Sequence, residues 1–165
     1  MMTKQERYET LCAQVESLIA GETNETGMLA NTAAAMKEMF PEAYFWVGFY
    51  LVKELEEQGD EKTSRLELGP FQGSVACYTI PYGKGVCGTA WAKQRTQVVP
   101  DVEAFPGHIA CSSLSRSEIV VPVFGMDGHV KAVIDIDSTE VGTFDEVDAL
   151  YLEKIAKILA KELRY

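Results

Sequence analysis

Two apolar runs, residues 117–124 and 129–137, are separated by Gly125-Met126-Asp127-Gly128. An Asp-Gly step between such runs is a strong hairpin signal, because those residues accept the backbone conformation that turns the chain back within a twisted sheet. The pair commits the chain to antiparallel β-structure. A third run, residues 44–52, is aromatic and β-branched without strict alternation, which suits a strand covered on both faces. Its Gly48 marks a bulge or a close approach by a ligand. Shorter strands are expected at 65–68, about 74–80 and 96–99, with a turn at Pro81-Tyr82-Gly83-Lys84-Gly85.

Helical periods surround these strands. Tyr8, Leu11, Cys12, Val15, Leu18 and Ile19 recur at three- and four-residue steps within 5–20, and Cys12 shares their apolar stripe as a small hydrophobe. A second helix, rich in Ala and Met, is expected over about 26–40, ending before Pro41. A short helix at 86–93 follows a glycine turn, and a last one opens on Thr143-Phe144-Asp145-Glu146, which reads as a capping box. The charged segment 53–64 reads as a solvated hairpin excursion, and 100–117 as a long loop of the kind that usually carries function. This order predicts an α+β fold, a central antiparallel sheet with helices packed against it. At 165 residues the chain is expected to be one domain, 1–165.

The formal net charge of −10 offers no basic footprint for phosphates, so nucleic acid is not expected as a partner. The charged N-terminus and the lack of a long apolar run predict no signal peptide and no membrane span, hence a cytoplasmic location with reduced thiols.

In that setting three cysteines, Cys77, Cys87 and Cys111, point to metal ligation or thiol chemistry rather than structural disulfides. Zinc, with His108 as a fourth ligand, competes with redox chemistry. Structural zinc sites usually bring cysteines in close pairs, whereas these are spaced by ten and twenty-four residues. Thiol redox chemistry needs an accessible thiolate and a second thiol within reach. Cys87, at a helix start near Lys84, fits the electrostatic requirement, and Cys111, in a serine-rich loop, fits the accessibility requirement. Cys77, inside an expected strand, serves as partner only where the loop folds over it.

Asp135 and Asp137 alternate along an apolar strand and so leave the same face. Two acids on one face repel unless a cation lies between them, and Glu118 opens the paired strand beside them. Such a group suits an ammonium pocket, or an acid with a raised pKa. Trp46 and Tyr50 share a face and are candidates for an apolar wall.

These residues resemble the free methionine-(R)-sulfoxide reductases, small proteins of the GAF fold. The resemblance rests on residues 46–51, Gly69-Pro70-Phe71-Gln72-Gly73, residues 80–90, residues 105–111, residues 117–122 and Asp135-Ile136-Asp137-Ser138. It implies that free methionine-(R)-sulfoxide is the substrate. Cys111 would attack its sulfur while Glu118 or Asp135 protonates the oxygen, and Cys77 would resolve the resulting sulfenic acid as a disulfide that thioredoxin reduces. Cys87 is an alternate resolving thiol or nucleophile. Trp46 and Tyr50 would enclose the methyl end, Glu118, Asp135 and Asp137 would hold the ammonium, and the backbone of Ile109, Ala110 and Cys111 would receive the carboxylate. The resemblance further implies a homodimer, and no metal or cofactor is expected. A ligand- or redox-sensing GAF domain without turnover is the alternative.

Overall fold

The computed structural model describes residues 1–55 and 64–165. Its elements are α1 (Lys4–Ile19), α2 (Glu25–Met39), β1 (Trp46–Lys53), β2 (Arg65–Gln72), β3 (Thr79–Pro81), α3 (Gly85–Lys93), β4 (Gln97–Val99), a 3-10 turn (Val102–Ala104), β5 (Ser117–Phe124), β6 (Val130–Ser138) and α4 (Glu146–Leu163). The strands form one sheet in the order β3-β2-β1-β6-β5-β4, and every neighbouring pair is antiparallel. The α+β architecture follows the expected order of elements. Most of the expected excursion at 53–64 lies outside the described residues.

Alternation along the strands gives the sheet two unlike faces. Val47 and Phe49 of β1, Ile119, Val121 and Val123 of β5, and Ala132, Ile134 and Ile136 of β6 pack against α1, α2 and α4 in the larger apolar core. Trp46, Tyr50, Val120 and Val133 point the other way, against Val86, Cys87, Ala90 and Trp91 of α3, in a smaller one. Asp135 and Asp137 are in phase with Val133, so they emerge beneath α3 rather than among the long helices. That phase positions the site.

A buried polar link holds the helical layer in register. The Tyr8 hydroxyl donates to Asp148 Oδ1 at 2.6 Å and lies 2.6 Å from the Tyr44 hydroxyl, while Lys4 Nζ reaches Asp148 Oδ2 at 2.7 Å. Asp148 also completes the capping box of α4, whose N-cap is Asp145. The expected cap at Thr143 falls two residues early. Its hydroxyl faces Ser138 Oγ at 2.8 Å and the Glu140 carbonyl at 3.1 Å, so it braces the turn before the helix instead.

Of the expected strand at 74–80 only Thr79 and Ile80 pair with β2, and β3 runs on through Pro81, which the sequence placed in the turn. Upstream the chain runs irregularly, because side chains of β1 take its carbonyls. Trp46 Nε1 donates to the Ser74 carbonyl and the Tyr50 hydroxyl to the Cys77 carbonyl, both at 3.0 Å. Cys77 therefore sits in a loop laid across the end of the sheet. Strand β2 extends past its expected end to Gln72 because β1 continues to pair with it.

Gly48 does mark a bulge, since the β1 to β2 register slips between Gly48 and Tyr50. The close approach there is by protein. A Cβ at this position would lie 2.3 Å from Phe71 Cβ and 2.8 Å from Trp46 Cη2. The missing side chain lets the indole of Trp46 lie across Gly48 towards Tyr50, with ring centroids 6.0 Å apart. Gly48→Ala is accordingly expected to destabilise the fold by about 2 kcal/mol through overpacking, read as a lower urea midpoint with an unchanged slope. An unchanged midpoint would show that Phe71 yields without cost.

Candidate active site

One cleft gathers most of the residues singled out by the sequence. Its walls are Trp46 and Tyr50 from β1, Gly85, Val86 and Cys87 from the start of α3, and His108, Ile109, Cys111, Ser112 and Ser115 from the loop before β5. Its floor is Glu118, Asp135 and Asp137. Antiparallel pairing makes the floor, since Glu118 lies opposite Asp137, Val120 opposite Asp135, and Trp46 opposite Asp137 on the other side. Ala110 is exposed and stands outside the lining.

Cys77 and Cys111 are joined as a disulfide, with Cα atoms 5.6 Å apart, at the mouth of this cleft. Their 34-residue separation is bridged because the 74–78 loop and the 105–116 loop both fold over the same end of the sheet. Two of the three thiols needed for the alternative zinc site at Cys77, Cys87 and Cys111 are thus bonded to each other in this structure.

Cys87 lies deeper. It occupies the first turn of α3, yet helix-end electrostatics do not govern its thiol. Burial pushes the thiol well above its ordinary pKa, and Asp135, Glu118 and Asp137 push it further. It stays protonated and hydrogen-bonds Asp135. A group held this way is a poor nucleophile at neutral pH.

The three acids are all raised. Burial lifts Glu118 to about 8, with the Asp137 charge adding to the effect. Burial followed by the Glu118 charge lifts Asp135 well above the carboxylate range, and burial followed by Asp135 does the same for Asp137. The cluster therefore carries protons at neutral pH, with a hydrogen bond linking Glu118 and Asp135, while the hydrogen bond from Ser115 to Asp137 acts the other way and favours its ionised form. His108 Nε2 lies 3.3 Å from Glu118 Oε2, and burial lowers the pKa of its ring, which keeps it neutral.

One polar atom has no partner. Asp135 Oδ1 is fully enclosed and accepts no hydrogen bond among the described residues. A buried carboxyl oxygen left bare is costly unless a ligand supplies a donor. Cys87, Glu118 and Asp135 also bring ligand atoms within 4.8 Å of one another, a spacing compatible with a cation. An ammonium meets the same demand with three N–H donors.

Ser115 and Phe71 were not singled out as site residues in the sequence. Phe71 stacks on Trp46 with centroids 5.1 Å apart, and its only signal was its place in Gly69-Pro70-Phe71-Gln72-Gly73. Ser115 was hidden among the serines of the long loop. In its disulfide-closed form the cleft has a volume of about 40 Å³, room for roughly three waters.

Comparison with known proteins matches residues 22–163 to the GAF domain. The chain is 43% identical to the free methionine-R-sulfoxide reductase of Saccharomyces cerevisiae, over 97% of this chain and 87% of that one. It is 42% identical to that of Escherichia coli, over 98% and 92%. A crystal structure of the Neisseria meningitidis free methionine-R-sulfoxide reductase in complex with its substrate superposes with a TM-score of 0.90 at 53% identity, covering 99% of this chain and 92% of that one.

Proposed function

This chain belongs to the free methionine-R-sulfoxide reductases of the GAF-domain family, and from that premise we propose how its own residues carry out the reduction. The supporting observation is the Cys77–Cys111 pair mounted over three proton-bearing acids in one cleft. Free methionine-(R)-sulfoxide reacts with the reduced form, because only that form offers a free Cys111 thiol to attack it. Its methyl end lies against Trp46 and Tyr50. Its ammonium is received by Asp135 Oδ1 and Asp137, and its carboxylate by backbone N–H groups at Ile109, Ala110 and Cys111.

The Cys111 thiolate then attacks the sulfoxide sulfur. Glu118, neutral at pH 7, protonates the sulfoxide oxygen, with Asp135 behind it as the hydrogen-bonded proton reserve. The oxygen passes to the cysteine, methionine leaves as the thioether, and Cys111 remains as a sulfenic acid. The Cys77 thiol condenses with it, expelling water and forming the disulfide. Thioredoxin restores both thiols by exchange, so each turnover consumes one dithiol and releases one methionine and one water. Cys87 does not exchange; it holds Asp135 in place through its hydrogen bond. Restriction to the free amino acid follows, because a residue within a peptide lacks the ammonium and carboxylate pair. A homodimer in the cytoplasm completes this reading.

The test is reduction of the R and S epimers of free methionine sulfoxide, followed as methionine released with dithiothreitol and as NADPH consumed with thioredoxin and its reductase. Turnover of the R epimer, with the S epimer at least about a hundredfold slower, is the expected result. Binding of the R epimer without any methionine released would favour the sensing GAF domain instead.

A further inference from the structure

The loops that carry the disulfide expose large apolar side chains. Apart from Met1 and the hairpin residue Met126, the three most exposed large apolar side chains among the described residues are Val75 at 87%, Tyr78 at 83% and Leu114 at 60%. All three lie within three residues of a disulfide cysteine, two beside Cys77 and one beside Cys111. Scattered apolar residues on a surface need no explanation, but a cluster around one reactive bond does. Tyr78 and Leu114 are not part of the cleft lining, so substrate contact does not account for them.

The strands beneath explain why the collar is held outward. Tyr50 and Trp46 anchor the 74–78 loop by its carbonyls, and Leu68 N–H donates to the Tyr78 carbonyl at 2.9 Å. With its backbone fixed on the sheet side, the loop presents Val75 and Tyr78 to solvent. Cys111 is exposed while Cys77 is half-buried, so Cys111 is the more accessible residue of the pair.

We propose that Val75, Tyr78 and Leu114 form an apolar docking collar for the dithiol oxidoreductase that reduces the Cys77–Cys111 disulfide. This rests on the reading of that disulfide as the turnover product. A protein thiolate has to come within bonding distance of a sulfur, which presses the partner's surface onto the rim and buries these side chains. The partner's thiolate attacks Cys111, forming a mixed disulfide and releasing Cys77 as thiolate. The partner's second thiol then displaces Cys111, and two electrons and two protons have moved from the partner to this chain. A small reductant does not need the collar.

The experiment uses the full chain carrying Tyr78→Ser and Leu114→Ser together, oxidised to the disulfide. Its reduction is followed with reduced thioredoxin and, separately, with dithiothreitol. The rate constant with thioredoxin is expected to fall about tenfold, as for loss of two apolar contacts in an interface, while that with dithiothreitol stays unchanged. An unchanged thioredoxin rate overturns the proposal, and so does an equal fall with both reductants, which would mean a distorted disulfide. A shift in oligomeric state at an unchanged thioredoxin rate assigns the surface to a second copy of the chain and also overturns it. Methionine release driven by dithiothreitol tests the reductase reading separately, so failure of either is recognised by itself.

Discussion

Cys111→Ser is expected to lower release of methionine from free methionine-(R)-sulfoxide by at least about 10³-fold, since removal of a nucleophile forfeits the covalent route altogether. The effect should be equal with thioredoxin and with dithiothreitol, because the loss precedes regeneration. Companion variants separate the roles of the other thiols. Without added reductant, Cys77→Ser is expected to release one methionine per chain and then stall as a Cys111 sulfenic acid, visible as a mass gain of one oxygen or by trapping with a carbon nucleophile. Cys87→Ser should still form the Cys77–Cys111 disulfide, because its buried thiol stands apart from that bond. Undiminished turnover by Cys111→Ser would remove the assignment of the nucleophile. A disulfide between Cys87 and Cys111 after one turnover would reassign the resolving thiol.

Glu118→Gln is expected to reduce kcat by about 10²-fold or more, the usual worth of a positioned general acid, with a smaller change in KM. The pH profile carries the sharper information. Burial pushes Glu118 up to about 8, and in the proposed role it acts in its protonated form, so activity is expected to fall as pH rises through that value. Thiol ionisation acts in the opposite sense. In Glu118→Gln the falling limb near 8 should disappear, because an amide does not titrate. A falling limb that persists unchanged would transfer the acid role to Asp135.

The same raised acid makes stability depend on pH with a definite sign. In the unfolded chain Glu118 ionises near 4.5, while in the folded chain it holds its proton to about 8. The contribution of this group to stability is complete below the unfolded value and is lost as pH rises through that window. Asp135 and Asp137, raised by burial and by their neighbours, act in the same direction. A bound ammonium reverses the trend by giving the ionised carboxyls a partner.

The strands were readable because their signals are local. The Asp-Gly hairpin, the aromatic run of β1 and the helical periods at both ends of the chain each reflect a rule that acts within a dozen residues. Where the expectations missed, a distant group had intervened. The 74–78 segment has strand-like composition but lost its pairing to the side chains of Trp46 and Tyr50, 28 and 27 residues upstream of the carbonyls they bind. The cap of α4 moved to Asp145 because Asp148 also serves Tyr8 and Lys4 on another helix.

The amino-acid order by itself determined that Asp135 and Asp137 share a face of their strand, that Trp46 and Tyr50 share a face of theirs, and that Cys111 lies in a loop. Periodicity fixes such relations, because the alternation of a strand is a property of its own backbone. Only the tertiary structure decided which cysteines meet and which acids hold protons. Antiparallel pairing set Glu118 opposite Asp137, and burial under α3 then raised all three acids. The same burial reversed the expectation for Cys87, because desolvation beside carboxyls outweighs the pull of a helix end. Desolvation depends on what the rest of the chain places over a residue, and no local pattern encodes it.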